Sequence, residues 1–140
     1  MGKVSKAFNL PLSTKLLLTK AALVSLGIEL IGKQRTYSRL EILHNPGSVT
    51  TVDLSSARML FIEEMSLCLS LLEKHAPWNP MCYNRALTSV ILMKKRGITP
   101  KLHIGFRKLN EELDGHAWVK VGRFFITGYR FDLHTYKLLR

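Results

Sequence analysis

The hydrophobic periodicity of this chain predicts an α+β fold, with helices first and an antiparallel sheet last. Three observations carry that prediction. Ala57, Phe61, Met65, Cys68 and Leu72 recur at steps of three and four, the period of one helix face. After Gly97 the period drops to two, with Leu102, Ile104 and Phe106 alternating with Lys101, His103 and Arg107, as in a half-buried strand. The dipeptide Gly122-Arg123 then sits between two apolar runs as a two-residue hairpin turn.

Taken in order, a first helix is expected from about residue 14 to 32, capped by Ser13 or Thr14 after Pro11. Its apolar residues Leu16, Leu17, Leu23, Leu26, Leu30 and Ile31 cover more than half the circumference, so it should face something broad, a partner protein included. Asn45, Pro46 and Gly47, followed by Ser48, Thr50 and Thr51, form the strongest linker-like stretch. That stretch divides a helical N-terminal segment, 1–45, from a core of residues 46–140. Asp53 can cap the second helix, about 54–75, whose face was given above.

Pro77, Asn79 and Pro80 interrupt the pattern. A third helix is expected to start with Asn79 as cap and Pro80 at its first position, which puts Cys82 in the first turn. It runs through Ala86, Val90 and Met93 to Arg96, where Gly97 ends it and Pro100 prevents a restart. The first strand is followed by a polar loop, Lys108 to Glu112. The next strand puts His116, Trp118 and Lys120 on one face and Ala117, Val119 and Val121 on the other. Phe124 to Thr127 returns alongside it, and a last strand from about His134 to Leu139 completes four.

Composition excludes several classes. With 46% apolar and 22% charged residues, the 140-residue chain is a globular domain rather than a disordered one. The run from Leu16 to Ile31 is broken by Lys20 and Glu29 and falls short of the roughly 20 apolar residues of a membrane span. Basic residues follow it where a signal peptide needs a small-residue cleavage site. Cys68 and Cys82, the two cysteines, are too far apart for a Cys-x-x-Cys zinc or disulfide motif, so a reduced cytoplasmic protein is expected. A formal charge of +11 draws the chain toward acidic peptides, acidic proteins or other polyanions.

The chemistry centres on Cys82 and His116. A thiol attacks carbonyls only as thiolate, and the unpaired N–H groups and positive dipole end at a helix start favour that anion. The same N–H groups suit a developing oxyanion. His116, set between the small residues Gly115 and Ala117 on a later strand, is the natural base, with Trp118 on its face as a shield from water. Cys68, on the apolar stripe of the second helix, reads as a core residue. His103 and His134 read as sheet or surface residues, since no His or Cys pair has metal-ligand spacing; neither metal nor cofactor is expected.

Four separated motifs occur in order: Pro77-Trp78-Asn79-Pro80-Met81-Cys82-Tyr83-Asn84-Arg85-Ala86-Leu87, Lys94-Lys95-Arg96-Gly97-Ile98, Leu102-His103-Ile104-Gly105 and His116-Ala117-Trp118-Val119. In these the chain resembles the leader peptidases of lasso-peptide biosynthesis, minimal transglutaminase-type cysteine peptidases related to the processing protein of microcin biosynthesis. The resemblance implies a papain/transglutaminase-like core with Cys82 as nucleophile and His116 as base. It also implies cleavage of the leader from a ribosomally made precursor before a separate, asparagine-synthetase-like cyclase closes the ring. A small leader-recognition protein, encoded separately in the stand-alone form expected here, is implied as a partner docking on the first helices.

The sequence departs from that pattern at the third triad member, an acid about a dozen residues after the histidine, where it has Thr127 and Gly128. Pairing Val121 with Phe124 across the turn sets Trp118 opposite Thr127, which puts Thr127 on His116's face as a weak orienter. Asp132 is the nearest acid downstream, and a backbone carbonyl is the remaining alternative. Two rival readings stand beside the peptidase. One is a basic module for nucleic acid or an acidic protein, against which the aromatics are not interleaved with Lys and Arg as stacking platforms. The other is a non-catalytic scaffold for the cyclase, suggested by the missing acid.

Overall fold

The computed structural model describes residues 9–32 and 55–139. Helices α1 (Leu12–Ile31), α2 (Ser56–His75) and α3 (Cys82–Lys95) precede strands β1 (Lys101–Leu109), β2 (Glu112–Val121), β3 (Phe124–Thr127) and β4 (Lys137–Leu138). The strands form one antiparallel sheet in the order β3-β2-β1-β4. Among the described residues, the expected order of three helices and then four antiparallel strands is therefore what is found. The linker-like stretch at 44–52 and the Asp53 cap lie outside the described residues.

The helices cover one face of the sheet. Phe61, Ile62, Met65, Cys68, Leu69 and Leu72 of α2 meet Ala86, Val90 and Met93 of α3 and Ala117, Val119 and Val121 of β2 in one core. The two periodicities converge there: steps of three and four from the helices, steps of two from the strand. No helix among the described residues is long and apolar enough to cross a membrane.

α1 packs differently from its expected leucine-rich face. Its buried stripe is Thr14, Leu17, Ala21, Ser25 and Ile28, while Leu16, Leu23 and Leu30 stand exposed. Small residues on the inner stripe allow α1 close to α2 and α3, and polar ones make contacts that leucine cannot. Ser25 and Asn84, both fully buried, hydrogen-bond across the α1–α3 contact: Ser25 Oγ donates to Asn84 Oδ1 at 2.6 Å. Asn84 Nδ2 returns bonds to the Ser25 carbonyl at 3.0 Å and to Glu29 Oε1 at 2.7 Å. The Trp78 indole N–H closes the cluster on Ser25 Oγ at 2.9 Å.

Three local expectations are corrected. α3 begins two residues later than predicted, with Met81 as N-cap and Cys82 as its first residue, because Asn79 takes a left-handed turn at φ 46° instead of capping. Asn is among the few residues that tolerate that conformation. The polar loop at Lys108–Glu112 is a tight hairpin: Leu109 pairs with Glu112, and Asn110 and Glu111 both have positive φ, as a type I′ turn requires. The last strand is shorter than expected, since Leu133–Thr135 forms a 3-10 turn held by the Thr135 hydroxyl on the Asp132 carbonyl at 2.7 Å.

Replacing Asn84 by Ala removes the acceptor of the Ser25 hydroxyl and the amide bonds to the Ser25 carbonyl and Glu29 in a buried setting. The expected cost is about 2–3 kcal/mol of unfolding free energy, read from urea denaturation, against less than that for the rim change Thr19→Ala.

Candidate active site

Cys82 enters the site through the start of α3. The Pro80 ring and the left-handed Asn79 fix how the chain arrives, and the first helical bond, Arg85 N–H to the Met81 carbonyl at 3.1 Å, closes around Cys82. Met81 has no side-chain acceptor for a first-turn N–H, and no acid lies in that turn to oppose an anion. Cys82 is half-buried at the margin of the core. Asn84, two residues on, anchors this turn to α1 through the bonds described above.

His116 comes from β2, on the sheet face away from Ala117, Val119 and Val121. Its ring stacks on Trp118 at 5.9 Å and lies 5.6 Å from Tyr136. His116 Nε2 is 2.7 Å from the Gly128 carbonyl. A carbonyl only accepts, so Nε2–H donates to it, which leaves Nδ1 as the ring atom that can act as the base. Among the described residues no hydrogen bond joins Cys82 Sγ to His116: α3, which carries the thiol, packs on the face of β2 that holds Ala117, Val119 and Val121, and His116 lies on the other.

The remaining candidates for orienting His116 lie elsewhere. A β-bulge between Val119 and Lys120 shifts the β2–β3 register, so Thr127 pairs with Val119 and not Trp118. Thr127 is thereby turned into the core, with Ile126 beside it, and does not share His116's face. Asp132 is held by cations: Arg107 donates to its Oδ2 at 2.7 Å and Arg130 to its Oδ1 at 3.0 Å. Sequence reasoning left the carbonyl as one alternative among three. The signal that singles out Gly128 is steric. At φ 81° a Cβ there would run into the Ala117 carbonyl and lie 2.8 Å from Trp118 Cα, so the chain passes too close to β2 for any side chain and offers main chain in its place.

A polar lattice fixes the other wall. Tyr136 OH donates to Asp114 Oδ2 at 2.8 Å, Arg107 Nε donates to the same oxygen at 2.8 Å, and the Arg107 guanidinium lies over the Tyr136 ring. These contacts hold Tyr136 against His116. The Tyr136 hydroxyl and Arg107 keep the Asp114 carboxyl below the usual carboxylate range, and Arg107, then Arg130, does the same for Asp132. Burial, then the bond to Asp114, pushes the Tyr136 phenol up. His103 also stacks flat on Trp118, at 5.4 Å and 11°. Cys68 is fully buried, and burial followed by the nearby Glu64 charge pushes its thiol up to about 11. No group of three metal-ligating side chains occurs among the described residues.

Two outcomes are expected. Gly128→Ala strains both φ and the β2 contact, so the Nε2–H signature of His116 in nitrogen NMR should be lost together with several degrees of Tm. Because Asp114 and Asp132 are more acidic folded than unfolded, their contribution to stability is complete above the unfolded value of about 3.9 and is lost as pH falls through the folded values. Asp132→Asn should therefore flatten the fall of Tm below about pH 4, measured by calorimetry across the acid range.

Comparison with known proteins places the arrangement in a family. Searches of curated proteins and of solved structures gave no significant match. The family model described as the transglutaminase-like superfamily matches residues 22–140. That span holds the second half of α1 and all of α2, α3 and the sheet, and the chain belongs to the transglutaminase-like superfamily.

Proposed function

We propose that this protein is a cysteine peptidase that removes the leader from a ribosomally made lasso-peptide precursor, with Cys82 as nucleophile and His116 as base. The observation that carries the reading is Cys82 as the first residue of α3, in a turn without acids, within a superfamily that includes cysteine peptidases. His116, held by the Gly128 carbonyl through Nε2 with Nδ1 left to act as the base, supports it. The lasso assignment rests on the four motifs around these residues.

In the reaction, His116 Nδ1 takes the Cys82 thiol proton, which requires the ring to come from the sheet face away from α3 to within hydrogen-bond reach of the sulfur as substrate binds. The thiolate adds to the scissile carbonyl, and first-turn N–H groups of α3 meet the oxyanion. The imidazolium then protonates the departing amine, leaving a thioester on Cys82. His116 next draws a proton from water, whose oxygen displaces the thiolate and releases the leader as a free acid. A separate leader-recognition protein delivers the precursor and an asparagine-synthetase-like cyclase takes the product; the exposed leucines of α1 offer the recognition protein a docking face.

The test is cleavage of precursor peptide, with its recognition partner, followed by mass spectrometry. Cys82→Ala should leave no cleavage and His116→Ala should slow it at least about a hundredfold. Cleavage surviving in Cys82→Ala sinks the nucleophile assignment, and intact precursor with the wild type favours the scaffold reading. Independently, iodoacetamide at pH 8 should modify Cys82 and spare Cys68, whose thiol is buried and pushed up to about 11.

A further inference from the structure

The sheet face that carries His116 is a row of cross-strand pairs: Lys101 opposite Lys120, His103 opposite Trp118, Gly105 opposite His116, and Arg107 opposite Asp114. Charge is compensated at one end of the row only. Arg107 is neutralised by Asp114 and Asp132. At the other end two lysines stand directly opposite each other in register, an arrangement of like charges that destabilises an antiparallel pair, and among the described residues no carboxylate is paired with either. The fold retains an unfavourable pair at the end of the face that also holds the base.

The surroundings of the two lysines are ordered. Lys120 Nζ lies over the Phe125 ring at 4.9 Å, and Phe125 packs edge-on against Tyr129 at 5.0 Å. His103 is pressed flat on Trp118, and burial, then Lys101 and Lys120, keeps its imidazole less basic than usual. A neutral His103 adds a donor and no third repelling charge. Lys120 is four residues along β2 from His116, about 13 Å of extended chain.

We propose that Lys101 and Lys120, flanked by His103 and Phe125, form an anion subsite that takes a carboxylate side chain of the peptide substrate, about four extended residues from the bond presented to His116. The substrate part of this inference rests on the peptidase reading. A polypeptide carboxylate is favoured over nucleic acid because Trp118 is covered and Phe125 is engaged by Lys120 and Tyr129; Tyr129 itself stands exposed beside Phe125, and competition with DNA decides between the two.

The test uses full-length Cys82→Ala protein and two acetylated, amidated pentapeptide probes, Gly-Glu-Gly-Glu-Gly and its Gln counterpart, with the His103 ring protons followed by NMR. The Glu probe should bind about fivefold tighter at low salt, a preference that shrinks as salt rises. The preference should vanish in Lys101→Gln/Lys120→Gln, whose Tm should rise slightly as the like-charge contact goes, showing that it folds. Equal binding of the two probes, or a Glu preference that survives the double substitution, overturns the subsite. Displacement of the Glu probe by an equal concentration of a single-stranded DNA 12-mer overturns the carboxylate assignment. Wild type that cleaves its precursor while binding both probes equally leaves the peptidase and removes the subsite; selective binding with no cleavage does the reverse.

Discussion

The hydrogen bond from Ser25 to Asn84 is the constraint on which the arrangement of this protein most depends. Both side chains are fully excluded from water, so each of their polar atoms is costly unless matched. The matches come from four places at once: the Ser25 hydroxyl, the Ser25 carbonyl, Glu29 and the Trp78 indole. Sliding or rotating α1 by one residue breaks all of them. Hydrophobic contact alone tolerates such slips, whereas this cluster accepts a single docking of α1 on α3. Because Asn84 sits in the first turn of α3 and Trp78 in the approach to it, the point held most firmly is the one that positions Cys82.

From that fixed point, β2 serves two faces with alternate residues. Ala117, Val119 and Val121 seal the helical core, while His116 and Trp118 build the outer wall. The bulge opposite Val119 turns both Ile126 and Thr127 inward, and the chain leaving β3 then crosses back over β2 at Gly128, close enough for its carbonyl to reach His116. Core packing and histidine orientation are thus set by the same half-dozen residues. A change that fills the bulge moves the carbonyl with it.

Much of this was legible in the sequence, and the failures have physical causes. Helix and strand periods in residues 54–75 and 101–127 gave the layered fold, because burial on one face leaves a regular pattern. α1 misled because its outer leucines are more conspicuous than its inner Thr14, Ala21 and Ser25, which pack by closeness and hydrogen bonding. The start of α3 slipped because Asn79-Pro80 is as good a left-handed turn as a cap and first helical residue. The orienter of His116 was read on a bulge-free hairpin, and one extra residue in β3 moved Thr127 to the other face. Asp132 drew attention as an acid, but nearby Arg107 and Arg130 claim it. The paired lysines at 101 and 120 were visible only as alternating charges until the β1–β2 register set them face to face.

For the proposed peptidase, a carbonyl in place of an acid changes how catalysis is shared among groups. A carboxylate both fixes the histidine tautomer and stabilises the imidazolium that forms; a neutral carbonyl keeps the first role and supplies only a dipole for the second. A serine nucleophile needs that stabilisation, since its proton leaves only as attack proceeds. A thiol needs less of it, because its thiolate is accessible near neutral pH and the helix start favours the anion directly. The requirement therefore moves from the acid to the first turn of α3, the turn that Asn84 and Ser25 hold in place. A buried amide on the first helix contact and a glycine too crowded for a side chain are, on this reasoning, two parts of one solution.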